Sequence, residues 1–243
     1  ASGTGSLAFG NGTDASGYSA MAIGQGTTAA GVHSIAQGYE ANVGAYGYNA
    51  IAIGTQSSAT AYASTALGKN SAATGDSSVA VGTTTVASGE YGTAVGPFAV
   101  ATGQSVTSRG DTANALGDNS TAIGGSAYAS GTGASALGYN AQAYGDDSLA
   151  LGSNAIADAT DSVAIGAAAN TAGFANSVAL GADSIVDRAD SVSVGAPGAE
   201  RQITNVADGT SGHDAVTLEQ LLAATNGGES AATSHYFKAH GPA

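Results

Sequence analysis

The chain contains no cysteine, so neither disulfide stapling nor thiolate chemistry is open to it. It has no tryptophan and only 6% aromatic residues, which excludes a core built on large rings. Charged residues make up 9% of the sequence, against about a quarter in an ordinary domain. Only five of them are basic (Lys69, Arg109, Arg188, Arg201 and Lys238), and these are scattered. With a formal net charge of −13 and no basic cluster, nucleic acid and anionic lipid are poor partners. Neither a secretory signal nor an apolar run of about 18 residues is seen, so nothing here spans a membrane as a helix. Proline is only 3 residues, which excludes a collagen-like chain despite 38 glycines. The opening Ala1-Ser2-Gly3-Thr4-Gly5 reads as the middle of something longer.

What is present is a repeat. Ser162-Val163-Ala164-Ile165-Gly166 is one copy of a unit whose last glycine recurs as Gly10, Gly24, Gly38, Gly54, Gly68, Gly82, Gly96, Gly110, Gly124, Gly138, Gly152, Gly166, Gly181 and Gly195. The step is 14 residues, except 16 from Gly38 to Gly54 and 15 from Gly166 to Gly181. Two residues before each glycine stands alanine, with Ser108 and Ser193 the exceptions. The flanking positions are mainly aliphatic, as in Met21/Ile23, Ile51/Ile53 and Leu149/Leu151; Gln37 and Arg109 break the pattern. A second glycine series lies half a period later and includes Gly17, Gly31, Gly75, Gly89, Gly103, Gly117, Gly131 and Gly145.

Alternation of period two, with glycine about every seven residues, argues against helix and for two short strands of roughly five residues per coil, each ended by a glycine turn. Stacked coils of this kind make a thin two-sheet solenoid. Val163 and Ile165 share one face, and Ser162 and Ala164 the other. Large side chains set against the small ones of the opposite sheet would fill the interior. That phase leaves the column Ala8, Ala22, Ala52, Ala66, Ala80, Ala122, Ala136, Ala150, Ala164 and Ala179 on the outside. Alanine is depleted in strands, so an outward alanine column suggests close approach of another subunit, along a line on the order of 60 Å. A featureless solvent face is the plainer alternative.

After Gly195 the repeat stops. Asp214 is placed to cap a helix over 215–225, in which Val216, Leu218, Leu221 and Leu222 form an apolar seam. A helix of roughly ten residues is too short to stand alone and implies partner helices. Asn226-Gly227-Gly228 ends it. The expected divisions are a roll at 1–195, a neck at 196–214, the short coiled-coil helix at 215–225, and a connector or next module at 226–243.

The head units Asp161 to Gly166, Asn176 to Gly181 and Asp190 to Gly195 resemble the Asn-Ser-Val-Ala-Ile-Gly motif of YadA-like heads in the trimeric autotransporter adhesins of Gram-negative bacteria. The residues Arg201, Gln202, Ile203, Val206, Ala207, Gly209, Asp214, Ala215, Val216, Gln220 and Leu221 are similar to the neck of the same family, and Leu218 lies among them. The resemblance implies an all-β fold, a left-handed parallel β-roll of 14-residue coils, assembled as a homotrimer about a threefold axis. It implies a neck where chains cross to neighbouring subunits, and anchoring through an outer-membrane barrel outside this sequence. The expected function is an adhesin head at the bacterial cell surface that attaches to host extracellular-matrix or cell-surface proteins. The alternative is a passive spacer that projects a more distal binding domain. Departures from the family pattern are the insertion around Ala45–Asn49, the Gln37 and Arg109 copies, and the early end of the helix.

No enzyme constellation is visible, and no cofactor or metal site is expected. The histidines His33, His213, His235 and His240 lack metal-ligand spacing. No serine sits in a nucleophile elbow, and no glycine-rich stretch carries the lysine of a phosphate loop. The residue after each glycine should be a turn tip. Tyr18, Tyr39, Tyr48 and Tyr139 stand there, and Tyr62 at the equivalent position after Ala61, as candidate ligand contacts or as shields for the turn edges.

Overall fold

The computed structural model describes residues 1–226; from residue 227 onward the expected connector, with His235 and His240, lies outside them. The chain divides into two compact units, Ala1–Glu200 and a second beginning at Arg201.

The first unit is a parallel β-solenoid. Each coil gives a strand of mostly three residues to a 14-stranded sheet and one of two residues to an 11-stranded sheet, and strands within a sheet follow chain order. Like stacks on like: Leu149 pairs with Val163, Ala150 with Ala164 and Leu151 with Ile165. The strands are shorter than the five residues expected, because the turns begin sooner. Their backbones nonetheless continue the coil-to-coil ladder, as in Asn154 N–H to the Tyr139 carbonyl (2.9 Å) and Asp161 N–H to the Asp146 carbonyl (3.0 Å). Hydrogen bonding therefore runs around the whole circumference, which is how a thin roll satisfies its buried backbone.

The alternation predicted from sequence is present, but its phase is the reverse of that expected. Ala22, Ala52, Ala66, Ala80, Ala122, Ala136, Ala150, Ala164 and Ala179 are fully buried inside their own chain, and Ala8, in the first coil, is half-buried. They face the alanines of the second sheet, such as Ala59, Ala143 and Ala157. The bulky neighbours, Val163 and Ile165 among them, point outward. Volume is the physical reason. Each half-coil is about seven residues, so the two turns hold the sheets close and only small side chains fit between them; among the described residues no fully buried side chain is larger than valine.

Serine joins alanine on the inside, in most coils with its hydroxyl satisfied by a local carbonyl; Ser78 and Ser148 are buried without such a partner. Ser162 Oγ donates to the Ala159 carbonyl at 2.6 Å, Ser34 Oγ to Gly31 at 2.6 Å and Ser64 Oγ to Ala61 at 2.8 Å.

The two glycine series do different work. Gly166 has φ 132°, and a Cβ there would overlap the backbone of Gly181 in the next coil. Gly89 has no positive φ; a Cβ there would overlap the Gly103 carbonyl, so close approach of coils is what excludes a side chain. The left-handed turn residue is instead the second one after each glycine position, as at Asn154 and Asp161, both with φ 56°.

Candidate functional site

With alanine turned inward, the outward face of the 14-stranded sheet carries two columns of larger side chains. One runs Leu7, Met21, Ile35, Ile51, then through threonines such as Thr93, Thr107 and Thr121, to Leu149, Val163 and Val178. The other runs Phe9, Ile23, Gln37, Ile53, Leu67, Val81, Val95, Arg109, Ile123, Leu137, Leu151, Ile165 and Leu180. In the single chain these side chains are half-buried or exposed, with Phe9 at 72% and Leu180 at 44%. The interface expected along the alanine column therefore cannot be made by those methyl groups; the apolar surface that the roll leaves uncovered is one residue away on either side.

The turn tips form two separate edges. Backbone bonds from His33 N–H to Tyr18, Asn49 to Val32, Ala63 to Tyr48 and Ser77 to Tyr62 place Tyr18, Val32, Tyr48 and Tyr62 on successive coils of one edge. Bonds from Gln56 N–H to Tyr39 and Asn154 to Tyr139 place those two tyrosines on the other edge. All five are exposed, as their tip position requires. The first edge also holds two side chains that the tip rule did not single out. Tyr46, in the two-residue insertion, is 80% exposed and adjoins Tyr48. His33 meets Tyr18 edge-to-face at 5.7 Å between ring centres. The irregular step from Gly38 to Gly54 was the signal for Tyr46, since an insertion in a solenoid projects from an edge.

Further along, the tips become acidic, and several carboxylates bracket neighbouring coils. Asp76 accepts from Tyr62 N–H (3.2 Å), Asp118 from Gln104 N–H (2.8 Å) and Asp146 from Thr132 N–H (2.8 Å). A hydrogen bond to Glu40 raises the Tyr39 phenol above its ordinary pKa, and Glu90 does the same to Tyr91.

In the second unit the helix spans Leu218–Asn226. Its cap is Thr217 rather than Asp214. Gln220 N–H donates to Thr217 Oγ1 at 3.2 Å and Thr217 N–H donates to Gln220 Oε1 at 3.1 Å, a reciprocal capping box. The same Gln220 amide clasps Gly209, accepting from its N–H and donating to its carbonyl, each at 2.9 Å. Asp214 instead closes the preceding turn, accepting from the N–H groups of Thr210 and Ser211 at 2.9 Å each. Those bonds hold its carboxyl below the usual range. Of the neck residues predicted, Arg201, Gln202, Ile203, Asp214, Val216, Leu218 and Leu221 are exposed in the single chain and Val206 is half-buried.

Among the described residues no group of three or more His, Asp or Glu is placed to hold a metal, and no helix is long and apolar enough to cross a membrane.

Comparison with known proteins places this arrangement. The model of the YadA head domain repeat matches residues 1–26, 15–41, 45–71, 73–99, 110–127, 115–141, 129–155, 143–169 and 175–196. The model of the coiled stalk of trimeric autotransporter adhesins matches residues 202–235. Among curated proteins no sequence relative matched. One similar solved structure is the collagen-binding domain of the Yersinia adhesin YadA, at 26% identity over 92% of this chain and 98% of that one, with a TM-score of 0.40. Head repeats over most of the chain, followed by a stalk match, make this protein a member of the YadA-head family of trimeric autotransporter adhesins.

Proposed function

We propose that three copies assemble side by side through the outward face of the 14-stranded sheet, and that the assembly is an adhesin head whose exposed edges contact host extracellular-matrix or cell-surface proteins. One observation carries the assembly. The largely apolar columns run the length of the roll without a partner in their own chain, and contiguous bare apolar surface marks an interaction site. Burying one such valine, leucine or isoleucine is worth about 1.5–3 kcal/mol, so a few coils suffice to hold chains together. The exposed apolar residues of the neck support the same assembly, with chains crossing between subunits there. Membership in this family supports a head displayed at the bacterial cell surface on an outer-membrane-anchored protein.

For ligand contact, the edge bearing Tyr18, Tyr48 and Tyr62, with His33 and Tyr46, is the favoured surface over the one bearing Tyr39 and Tyr139. Its aromatics occupy four consecutive coils, and threefold presentation multiplies weak contacts into avidity. Binding of the trimer to collagen, fibronectin, laminin and epithelial cells tests this. Saturable binding weakened about tenfold by the pair Tyr48→Ala and Tyr62→Ala, and unchanged by Tyr139→Ala, is expected. No binding across the panel would leave the roll as a passive spacer.

A further inference from the structure

The outward face of the 14-stranded sheet carries one charged side chain. Arg109 stands between Val95 and Ile123 in register, on strands otherwise filled by aliphatic and hydroxyl residues. It is exposed, and it has no ion pair in its own chain; the single pair among the described residues joins Arg188 to Asp187. If this face is buried between subunits, an unpaired guanidinium would be strongly destabilising, so a counter-charge must come from the neighbouring copy.

Symmetry limits where that charge can be. In a cyclic trimer, equivalent atoms lie at one height along the axis, so the residues within reach of Arg109 are those of its own coil level and the coils next to it. The acidic residues near that level are Glu90, Asp111 and Asp118. Glu90 accepts from the Gln104 side chain at 3.0 Å and Asp118 from the Gln104 N–H at 2.8 Å. The Asp111 carboxylate has no partner among the described residues; only its backbone carbonyl is engaged, by Thr112 and Ser126. It is exposed, one residue beyond Gly110 on the turn that follows Arg109.

We infer that Arg109 is an inter-subunit ion-pairing residue whose counter-ion is Asp111 of the partner subunit, and that the pair holds the chains in axial register. The inference rests on the proposed trimer face. A sheet of near-identical coils presents similar apolar columns after a slip of one coil, so the aliphatic contacts discriminate weakly between registers. The pair does discriminate. One coil to either side, the Arg109 position holds Val95 or Ile123, and the Asp111 position holds Pro97 or Gly125. Salt bridging between Arg109 and Asp111 is therefore shortest in register.

Charge reversal tests it, with assembly read by light scattering and melting at low salt. Arg109→Asp and Asp111→Arg should each lower the trimer Tm by about 5 °C or dissociate it, and the double variant should recover. Because the two residues are close in sequence, recovery alone would also fit a pair within one chain. The deciding step is mixing the two single-variant chains under different tags. Pairing between subunits yields mixed trimers above the random proportion, even where each variant assembles poorly alone. Mixed trimers at the random proportion would overturn the inference, as would recovery of Arg109→Asp by Asp118→Arg instead. A monomeric wild type would overturn the trimer face and this inference together, whereas a trimeric wild type without coupling would overturn only the pair.

Discussion

Within Ala1–Glu200 each coil finds backbone partners in the next coil of the same chain, and its alanines and serines close a core without outside help. From Arg201 onward the balance is reversed. Ile203 is 70% exposed and Leu218 71%, and Val216, Leu221 and Leu222 are uncovered beside them. The roll gains its stability from near neighbours repeated many times, as solenoids do. The helix is 9 residues, below the length at which isolated helices persist, and it is held by its capping box and the Gln220 clasp. One region is complete as a single chain except for one outward face; the other, among its described residues, presents most of its apolar side chains for partners.

The largest effect is expected inside the roll. Ala164→Leu pushes four-carbon bulk into a space that holds a methyl group, and about 3 kcal/mol or more of destabilisation is expected. That corresponds to a fall in Tm on the order of 10 °C, read by circular dichroism. Its neighbour, Ile165→Asp, made together with Leu137→Asp and Leu151→Asp, should do the opposite: keep the β signal but shift the mass by light scattering toward that of one 22.9 kDa chain. If Ala164→Leu dissociated the trimer while leaving the melting of the roll untouched, the inward placement of alanine would be wrong.

A smaller effect sharpens the other half. Thr217→Ala removes one side of the capping box and should cost the helix about 1 kcal/mol, seen as lost helical ellipticity with the roll's melt unchanged. The smallest is a pH effect. Asp214 is held below its ordinary pKa by the Thr210 and Ser211 amides, so its clasp is fully formed above the unfolded carboxylate pKa and is lost as pH falls through the lower folded value. The amide resonances of Thr210 and Ser211 should therefore move only at acid pH, and in Asp214→Asn that titration should vanish.

How much of this was legible beforehand depends on the kind of information each feature needs. The coil length, the two glycine series and the exposed tip tyrosines follow from spacing alone. The cap is not predicted correctly: Asp214 is expected, whereas Thr217 and Gln220, at capping-box separation, carry the overlooked signal. Which tyrosines share an edge was less plain; it follows from following the half-coils alternately, which separates Tyr48 and Tyr62 from Tyr39 and Tyr139. Phase is not carried by the pattern. Alternation of Val163, Ala164 and Ile165 specifies two faces but not which is interior, and packing large against small is as consistent with the pattern as packing small against small.

By itself, then, the order of residues determined that this chain winds into fourteen-residue coils with a small face and a bulky face, because period-two alternation and recurrent glycine admit little else. Only the closed tertiary structure decided which face is core. Two turns per coil set the separation of the sheets, and that separation admits Ala164 and excludes Val163 and Ile165. The bulky face is thereby left to meet whatever lies beyond the chain, and Arg109 is left there without a partner of its own.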